Sequence, residues 1–104
     1  MKLIDIEKLA TQYPGIQPPP RHERDQLRPG DYARVIVATP DPADPAAEVL
    51  ERVWLRIQTT GPRFVGTVVA HPVCVPDLAA DGVVEFRHRH IFETAHPNPI
   101  RIAS

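Results

Sequence analysis

Prolines restrict where this chain can form regular structure. The sequence has 13 of them in 104 residues, including three in a row at positions 18–20. Proline lacks a backbone N–H and has a fixed φ, so a proline run favours an extended polyproline conformation and does not join the centre of a sheet. We therefore expect the strands to lie between the proline clusters.

Four segments show the alternation of apolar and polar residues that is typical of β-strands. They are PGDYARVIVAT (29–39), VLERVWLRIQ (49–58), RFVGTVVAH (63–71) and VVEFRHRHIF (83–92). In the second segment, Val53, Leu55 and Ile57 form the face predicted to be buried. The TTGP sequence before the third predicts a hairpin turn. PDPADPAAEV (40–49) is predicted to be a loop, in which Asp44 and Pro45 could also begin one helical turn.

The N-terminus predicts a short amphipathic helix. Leu3, Ile6, Leu9 and Ala10 fall on one side at helical spacing. Tyr13 precedes a proline, which disfavours a longer helix.

The length of the chain is enough for one domain with one hydrophobic core. We predict a single domain over residues 1–104, with an N-terminal helix (1–13), a proline-rich linker (14–29), a β core (30–94) and an extended tail (95–104). The predicted fold class is mainly β (α+β). It is a small, strongly bent antiparallel sheet or barrel with the short N-terminal helix packed on it.

Charge and cysteine content exclude several classes of protein. There are 12 basic and 13 acidic residues, which argues against a dedicated nucleic-acid binder. Cys74 is the single cysteine, so no internal disulfide can form and a reducing, cytoplasmic location is expected. Asp5 and Glu7 interrupt the first residues, which are therefore not a signal peptide. No apolar run is long enough to span a membrane.

The sequence EFRHRHIF (85–92) alternates histidine with arginine. As a strand it would place His88 and His90 on one face, and Arg87 and Arg89 on the other. A metal site needs further ligands, and the available ones have no recognisable motif spacing: His71, His96 and Cys74. We therefore predict no metal and no cofactor, and interpret the histidines as a polar interruption.

The face of Arg87 and Arg89 is predicted to be solvated or to bind a partner. As a nucleic-acid contact it lacks interleaved aromatic residues.

Trp54 is the only tryptophan, and it lies opposite the aliphatic face of its strand, between Arg52 and Arg56. Two interpretations are open. Trp54 either packs under the N-terminal helix or the linker, or it is an exposed interface anchor, since tryptophan and arginine are enriched at binding hot spots. Cys74, in an apolar run, is predicted to be a buried, inert thiol.

The order of motifs between Leu27 and Thr94 resembles a bacterial domain of unknown function, the family numbered twenty-three fourteen. The residues that match its pattern are Gly30-Asp31, Glu51-Arg52, Trp54, Gly66, Pro72, Leu78, Gly82, Phe86 and Ile91. Two positions depart from it: His71 stands where asparagine is usual, and Val83 where aspartate is usual. The resemblance implies a compact β-rich fold and no assigned chemistry.

No catalytic constellation is recognisable in the sequence, so we expect no enzyme. The predicted function is a non-catalytic binding module that acts through protein–protein contacts. Its predicted partner-binding residues are Trp54, Arg56, Arg87 and Arg89. One specific form is an inhibitor of the immunity or anti-defence (anti-CRISPR-like) type, of bacterial or phage origin, that binds a larger protein complex. Two alternatives remain: a small nucleic-acid-binding barrel, and a metal-binding protein or metal-dependent or hydrolytic enzyme built on His71, His88 and His90.

Overall fold

The computed structural model describes residues 2–69 and 82–97 of the chain. The described elements form one antiparallel sheet with two α-helices and a 3-10 turn. In chain order they are β1 (Lys2–Leu3), α1 (Ile6–Gln12), α2 (Arg21–Asp25), β2 (Tyr32–Asp41), β3 (Asp44–Thr59), β4 (Phe64–Val68), β5 (Val83–Phe86), the 3-10 turn (His88–His90) and β6 (Glu93–Ala95).

The sheet follows the chain as a meander in the order β1-β2-β3-β4-β5, and β6 also pairs with β2. β1 and β6 both lie along β2, β1 beside residues 37–38 and β6 beside residues 32–34. The sheet is strongly curled into a half-barrel, so the predicted mainly β fold with a bent antiparallel sheet and a short N-terminal helix is confirmed. β5 and β6 end up at opposite edges of this curled sheet.

The hydrophobic core lies on one face of the sheet, here called the inner face, which carries Val35, Leu55 and Phe86. The other face, which carries Arg34, Trp54 and Arg56, is called the outer face. The predicted burial of the aliphatic side of β3 is confirmed. The buried residues of the core are Leu27, Ala33, Val35, Val37, Val53, Leu55, Ile57, Phe64, Val68, Val84, Phe86 and Ile91.

Gly66 allows close packing at the centre of this core. A Cβ at this position would lie 3.0 Å from the Leu55 Cβ, 3.1 Å from the Arg56 carbonyl oxygen and 3.3 Å from the Phe86 ring. The ring of Phe86 in turn stacks on that of Phe64, with centroids 5.1 Å apart. The absence of a side chain therefore lets the ring pair approach the β3 backbone.

The predicted short N-terminal helix is confirmed, but it begins only at Ile6 and is shorter than residues 1–13. Asp5 caps it by accepting a hydrogen bond from the Lys8 backbone N–H at 2.9 Å. The helix ends at Gln12, directly before Tyr13 and a proline. Ile6 is its fully buried residue. Residues 2–3, predicted to be helical, instead pair with β2. Across residues 2–69 and 82–97, no helix combines the length and apolar character needed to cross a membrane.

The predicted linker (14–29) contains a short helix, α2, which was not predicted because it directly follows the proline run. α2 begins directly after Pro20, which stands at the N-cap and costs the helix no hydrogen bond, because the first N–H groups of a helix have no intrahelical partner. Arg24 in this helix and Leu27 after it are both buried. The segment is therefore anchored on the domain and is not only a tether.

The prediction of a loop at residues 40–49 is wrong, because most of this segment belongs to the two strands of an extended hairpin. β2 continues to Asp41 and β3 begins at Asp44, so neither a loop nor a helical turn forms there. Asp41 closes the turn by accepting a hydrogen bond from the Ala43 N–H. Pro40 fits because the register shifts directly after it, and this end of the ribbon is largely exposed.

Candidate functional sites

The segment between β5 and β6, residues 87–92, is here called the crossing segment because it connects the opposite edges of the curled sheet. The prediction that it continues the strand is wrong. β5 ends at Phe86, which pairs with Phe64, the first residue of β4, so later residues have no ladder partner on that strand. Ile91 is 0% exposed, and the Phe92 N–H donates to the Arg34 carbonyl oxygen at 2.7 Å. The crossing segment therefore contributes to the core and docks on β2.

His88 and His90 do not share a face, because they lie in the 3-10 turn. His90 Nδ1 accepts a hydrogen bond from the Arg87 backbone N–H at 3.0 Å. His88 Nε2 lies 2.9 Å from Asp25 Oδ1, and the His88 ring meets the edge of Phe64 at a centroid distance of 4.9 Å. Each imidazole thus has a separate local role, and the alternating sequence does not translate into one histidine face.

The environment of His88 favours its neutral form. Burial is the largest cause that lowers the pKa of His88, and the Arg21 charge lowers it further, while Asp25 opposes both. The pKa of Asp25 is itself lowered, first by its hydrogen bond from Arg21. A neutral His88 that donates its Nε2–H to an ionised Asp25 carboxylate is consistent with the lowered pKa of both groups.

Arg24 links three elements from a buried position. It is 6% exposed, and its Nη1 donates to Glu7 Oε2 at 2.7 Å and to the His88 carbonyl oxygen at 2.8 Å. Its Nε is buried without a hydrogen-bond partner. Arg24 therefore joins α2 to α1 and to the crossing segment, which makes it a structural residue rather than one available to a ligand.

A cleft of about 240 Å³, here called the basic cleft, lies beside this network. The residues that line it are Glu7, Arg21, Pro62, Arg87, His88 and Arg89. Arg21 Nε contacts Asp25 Oδ1 at 3.1 Å, and Arg89 Nε lies 3.8 Å from Asp5 Oδ2. Arg87 makes no ion pair within the described part of the chain. The cleft therefore presents guanidinium groups that are only partly neutralised.

Aromatic and basic side chains meet on the outer face of the sheet. The Arg34 guanidinium lies 5.3 Å from the centroid of the Trp54 ring, and its Nη1 also contacts Glu93 Oε1 at 2.9 Å. In the same way, the Arg52 guanidinium lies 5.2 Å from the centroid of the Phe92 ring. Both distances are in the range of cation–π attraction. We call the surface formed by Tyr32, Arg34, Arg52, Trp54, Arg56 and Phe92 the Trp54 face.

The Trp54 face continues into exposed apolar residues. Arg56 is exposed beside Tyr32, its register partner on β2. Next to Trp54, the N–H of Val69 donates to the Trp54 carbonyl oxygen, and Val69 is 50% exposed. Val83, which follows on β5, is 69% exposed. Trp54 itself is half-buried, with Arg34 covering its ring.

The predicted partner-binding residues lie at two places. Trp54 and Arg56 belong to the Trp54 face, whereas Arg87 and Arg89 line the basic cleft beyond the end of β5. Arg34 and Phe92 are not among the predicted residues, although the alternation of β2 already places Arg34 with Tyr32. Their meeting with Trp54 and Arg52 depends on the β2–β3 register and on the path of the crossing segment.

The histidines proposed as metal ligands do not converge where the structure describes them. His96 Nδ1 lies 3.0 Å from Asp31 Oδ1, away from the partners of His88 and His90. Within residues 2–69 and 82–97, no group of three or more histidine, cysteine, aspartate or glutamate side chains could hold a metal ion. His71 and Cys74 lie outside the described residues, so the metal-ligand role of His71 and the buried thiol of Cys74 stay predictions.

Comparison of the chain with protein-family models found no match, and comparisons with curated proteins and with solved structures found none either. The resemblance to the family numbered twenty-three fourteen therefore stays a prediction. The fold and the two sites define the chain as a small curled β-sheet protein with an aromatic and basic sheet face and a separate basic cleft.

Proposed function

We propose that this protein is a non-catalytic binding module whose Trp54 face docks on an acidic surface of a protein partner. The observation that supports this most directly is the half-buried Trp54 ring covered by Arg34 and flanked by Arg52 and Arg56. Tryptophan and arginine are the residue types most enriched among side chains that dominate interface energies.

The charge of the Trp54 face selects the partner. Arg34 is paired with Glu93, but Arg52 and Arg56 are exposed and make no ion pair with any described residue. The whole chain has a net charge of −1, so this basic surface is a local concentration and not a general property of the chain. Complementary charge steers association and disfavours wrong partners, which suits a surface rich in aspartate and glutamate.

Preorganisation also supports docking at this face. The Arg34 guanidinium is held between Glu93 and the Trp54 ring, so little side-chain freedom remains to be lost when a partner binds. Val69 and Val83 extend the surface with exposed apolar area that a partner would bury.

The specific form that we propose is a small inhibitor of the immunity or anti-defence (anti-CRISPR-like) type, acting in the cytoplasm on a larger protein complex. A single cysteine in the whole sequence fits a reducing compartment. A chain of this size can block a larger assembly by covering one of its surfaces, and needs no chemistry of its own to do so.

A second candidate function is the binding of single-stranded nucleic acid, which is favoured by the mixture of aromatic rings and guanidinium groups on the Trp54 face. Tyr32, Trp54 and Phe92 lie among Arg34 and Arg52 on a curved sheet. Single-stranded nucleic acids bind to such faces by stacking bases on aromatic rings while arginines contact the phosphates. This candidate predicts binding that weakens steeply with salt.

The test is an affinity purification from host lysate with the tagged protein and three variants. Trp54→Ala removes the anchor, Arg56→Glu reverses an exposed charge of the same face, and Arg28→Glu is a matched control at an exposed residue elsewhere. We expect one acidic protein to be retained by the wild type and by Arg28→Glu, and lost with the other two variants. Equal recovery with all of them would exclude the Trp54 face, and recovery abolished by nuclease would favour the second candidate.

A further inference from the structure

The basic cleft brings together cationic side chains from separate parts of the chain. Arg21 comes from α2, whereas Arg87 and Arg89 come from the crossing segment on either side of His88. We propose that this cleft is a binding site for a phosphate group, held by the guanidinium groups of Arg21, Arg87 and Arg89. The proposal does not depend on the Trp54 face, which is a different surface.

The charge balance of the cleft favours a dianion. Glu7 is the one acidic residue of the lining, and the buried Arg24 already neutralises it at 2.7 Å. Arg87 is without an ion pair among the described residues, and the contact of Arg89 with Asp5 is long at 3.8 Å. A phosphate group would give Arg87 and Arg89 the charge-assisted, bidentate hydrogen bonds that they lack, while Arg21 already donates its Nε–H to Asp25 at 3.1 Å and would use its remaining N–H groups.

The backbone that presents Arg87 and Arg89 is fixed from several sides. Ile91 is fully buried, the His88 carbonyl oxygen accepts from Arg24, and the His88 side chain is held by Asp25. The two arginines therefore extend from an anchored turn, which lowers the entropy lost when they close on an anion.

The size of the cleft limits what accompanies the phosphate. Its volume of about 240 Å³ is below the range of roughly 300–1,000 Å³ that is usual for organic ligands. The site therefore suits one phosphate group with a short attachment, which could be free inorganic phosphate or the phosphate of a modified side chain.

Nuclear magnetic resonance of the ¹⁵N-labelled full chain tests this directly, with sodium phosphate titrated against sodium chloride at constant ionic strength. We expect saturable chemical-shift changes that are confined to the backbone amides of His88 and its sequence neighbours and to the Arg21 Nε–H. The Arg87→Gln variant should bind phosphate about tenfold more weakly, because one charge-assisted hydrogen bond is lost. Arg28→Gln is the matched control, since it removes the same charge at an exposed residue that neither lines the cleft nor belongs to the Trp54 face, and it should bind phosphate normally.

A parallel titration with O-phosphoserine distinguishes the two sources of the phosphate. Tighter binding of phosphoserine than of phosphate would assign the site to a phosphorylated side chain, and the reverse order to the free ion. Shifts that stay linear with concentration, or that weaken equally in Arg87→Gln and Arg28→Gln, would overturn the proposal because they indicate only general screening.

Discussion

Replacement of Arg24 by alanine should destabilise the fold by about 2–3 kcal/mol. The His88 carbonyl oxygen loses a charge-assisted hydrogen bond from Arg24. This loss should cost about 1.5 kcal/mol, the lower end of the usual range, because the oxygen still accepts a hydrogen bond from the Ile91 N–H at 3.2 Å. Loss of the buried aliphatic stem adds about 1.5 kcal/mol. The Glu7 side chain is 46% exposed, so water replaces its partner and its share stays below about 1 kcal/mol.

One term acts in the opposite direction. The Nε of Arg24 is buried without a hydrogen-bond partner, which costs the native fold about 1 kcal/mol or more. Arg24→Met keeps most of the stem and removes this unsatisfied group, so it should destabilise by only about 1 kcal/mol. Glu7→Gln should have the smallest effect, about 0.5 kcal/mol, because the carboxylate is half-solvated.

Urea unfolding, followed by the fluorescence of the only tryptophan, measures these differences. For a domain of this length the alanine variant should also melt about 10 °C lower than the wild type. If Arg24→Ala stays within about 0.5 kcal/mol of the wild type, or if Arg24→Met is less stable than Arg24→Ala, then Arg24 does not hold the three elements together in the way its contacts indicate.

Two further predictions concern the core and the histidine network. Gly66→Ala should destabilise by about 2 kcal/mol in the same urea assay, because its Cβ would meet backbone at 3.1 Å, whereas Gly15→Ala, with open space around it, should change little. Burial holds the folded-state pKa values of His88 and His90 below the reference of 6.5, so the unfolded chain takes up protons first and stability should fall as the pH drops below about 7. His88→Gln should remove part of this decline, whereas His22→Gln, at an exposed position, should leave it unchanged; a His88 pKa measured above 6.5 would overturn this expectation.

The strands were predictable where local alternation coincides with one buried face. Val53, Leu55 and Ile57 are buried as their spacing indicates, and the TTGP turn does connect β3 to β4. The same rule failed for residues 87–92, whose alternating sequence is as strand-like as the rest. An alternating sequence is compatible with a strand, but a strand also needs a neighbouring strand to pair with. Phe86 pairs with Phe64, the first residue of the antiparallel β4, so the residues after Phe86 have no partner on β4.

The candidate sites were only partly predictable, because they join residues that are distant in the sequence. Trp54 and Arg56 can be recognised as candidate binding residues from the sequence, because they alternate with the aliphatic residues of β3 and therefore lie on its opposite face. The basic cleft is different: Arg21 lies in a segment predicted to be a linker, and its proximity to Arg87 arises from α2 docking beside the crossing segment. No local pattern encodes a distance across that many residues.

The class of fold can be inferred from the sequence alone, through the short alternating segments and the single apolar side of strands such as β3. Those are local properties of the backbone and of side-chain burial, which is why they can be inferred without coordinates. Tertiary packing brings His88 to Asp25, buries Arg24 and places arginines from two segments along one cleft. These arrangements follow from strand register and from the way the chain closes the curled sheet, and both are settled by the packing of the whole domain.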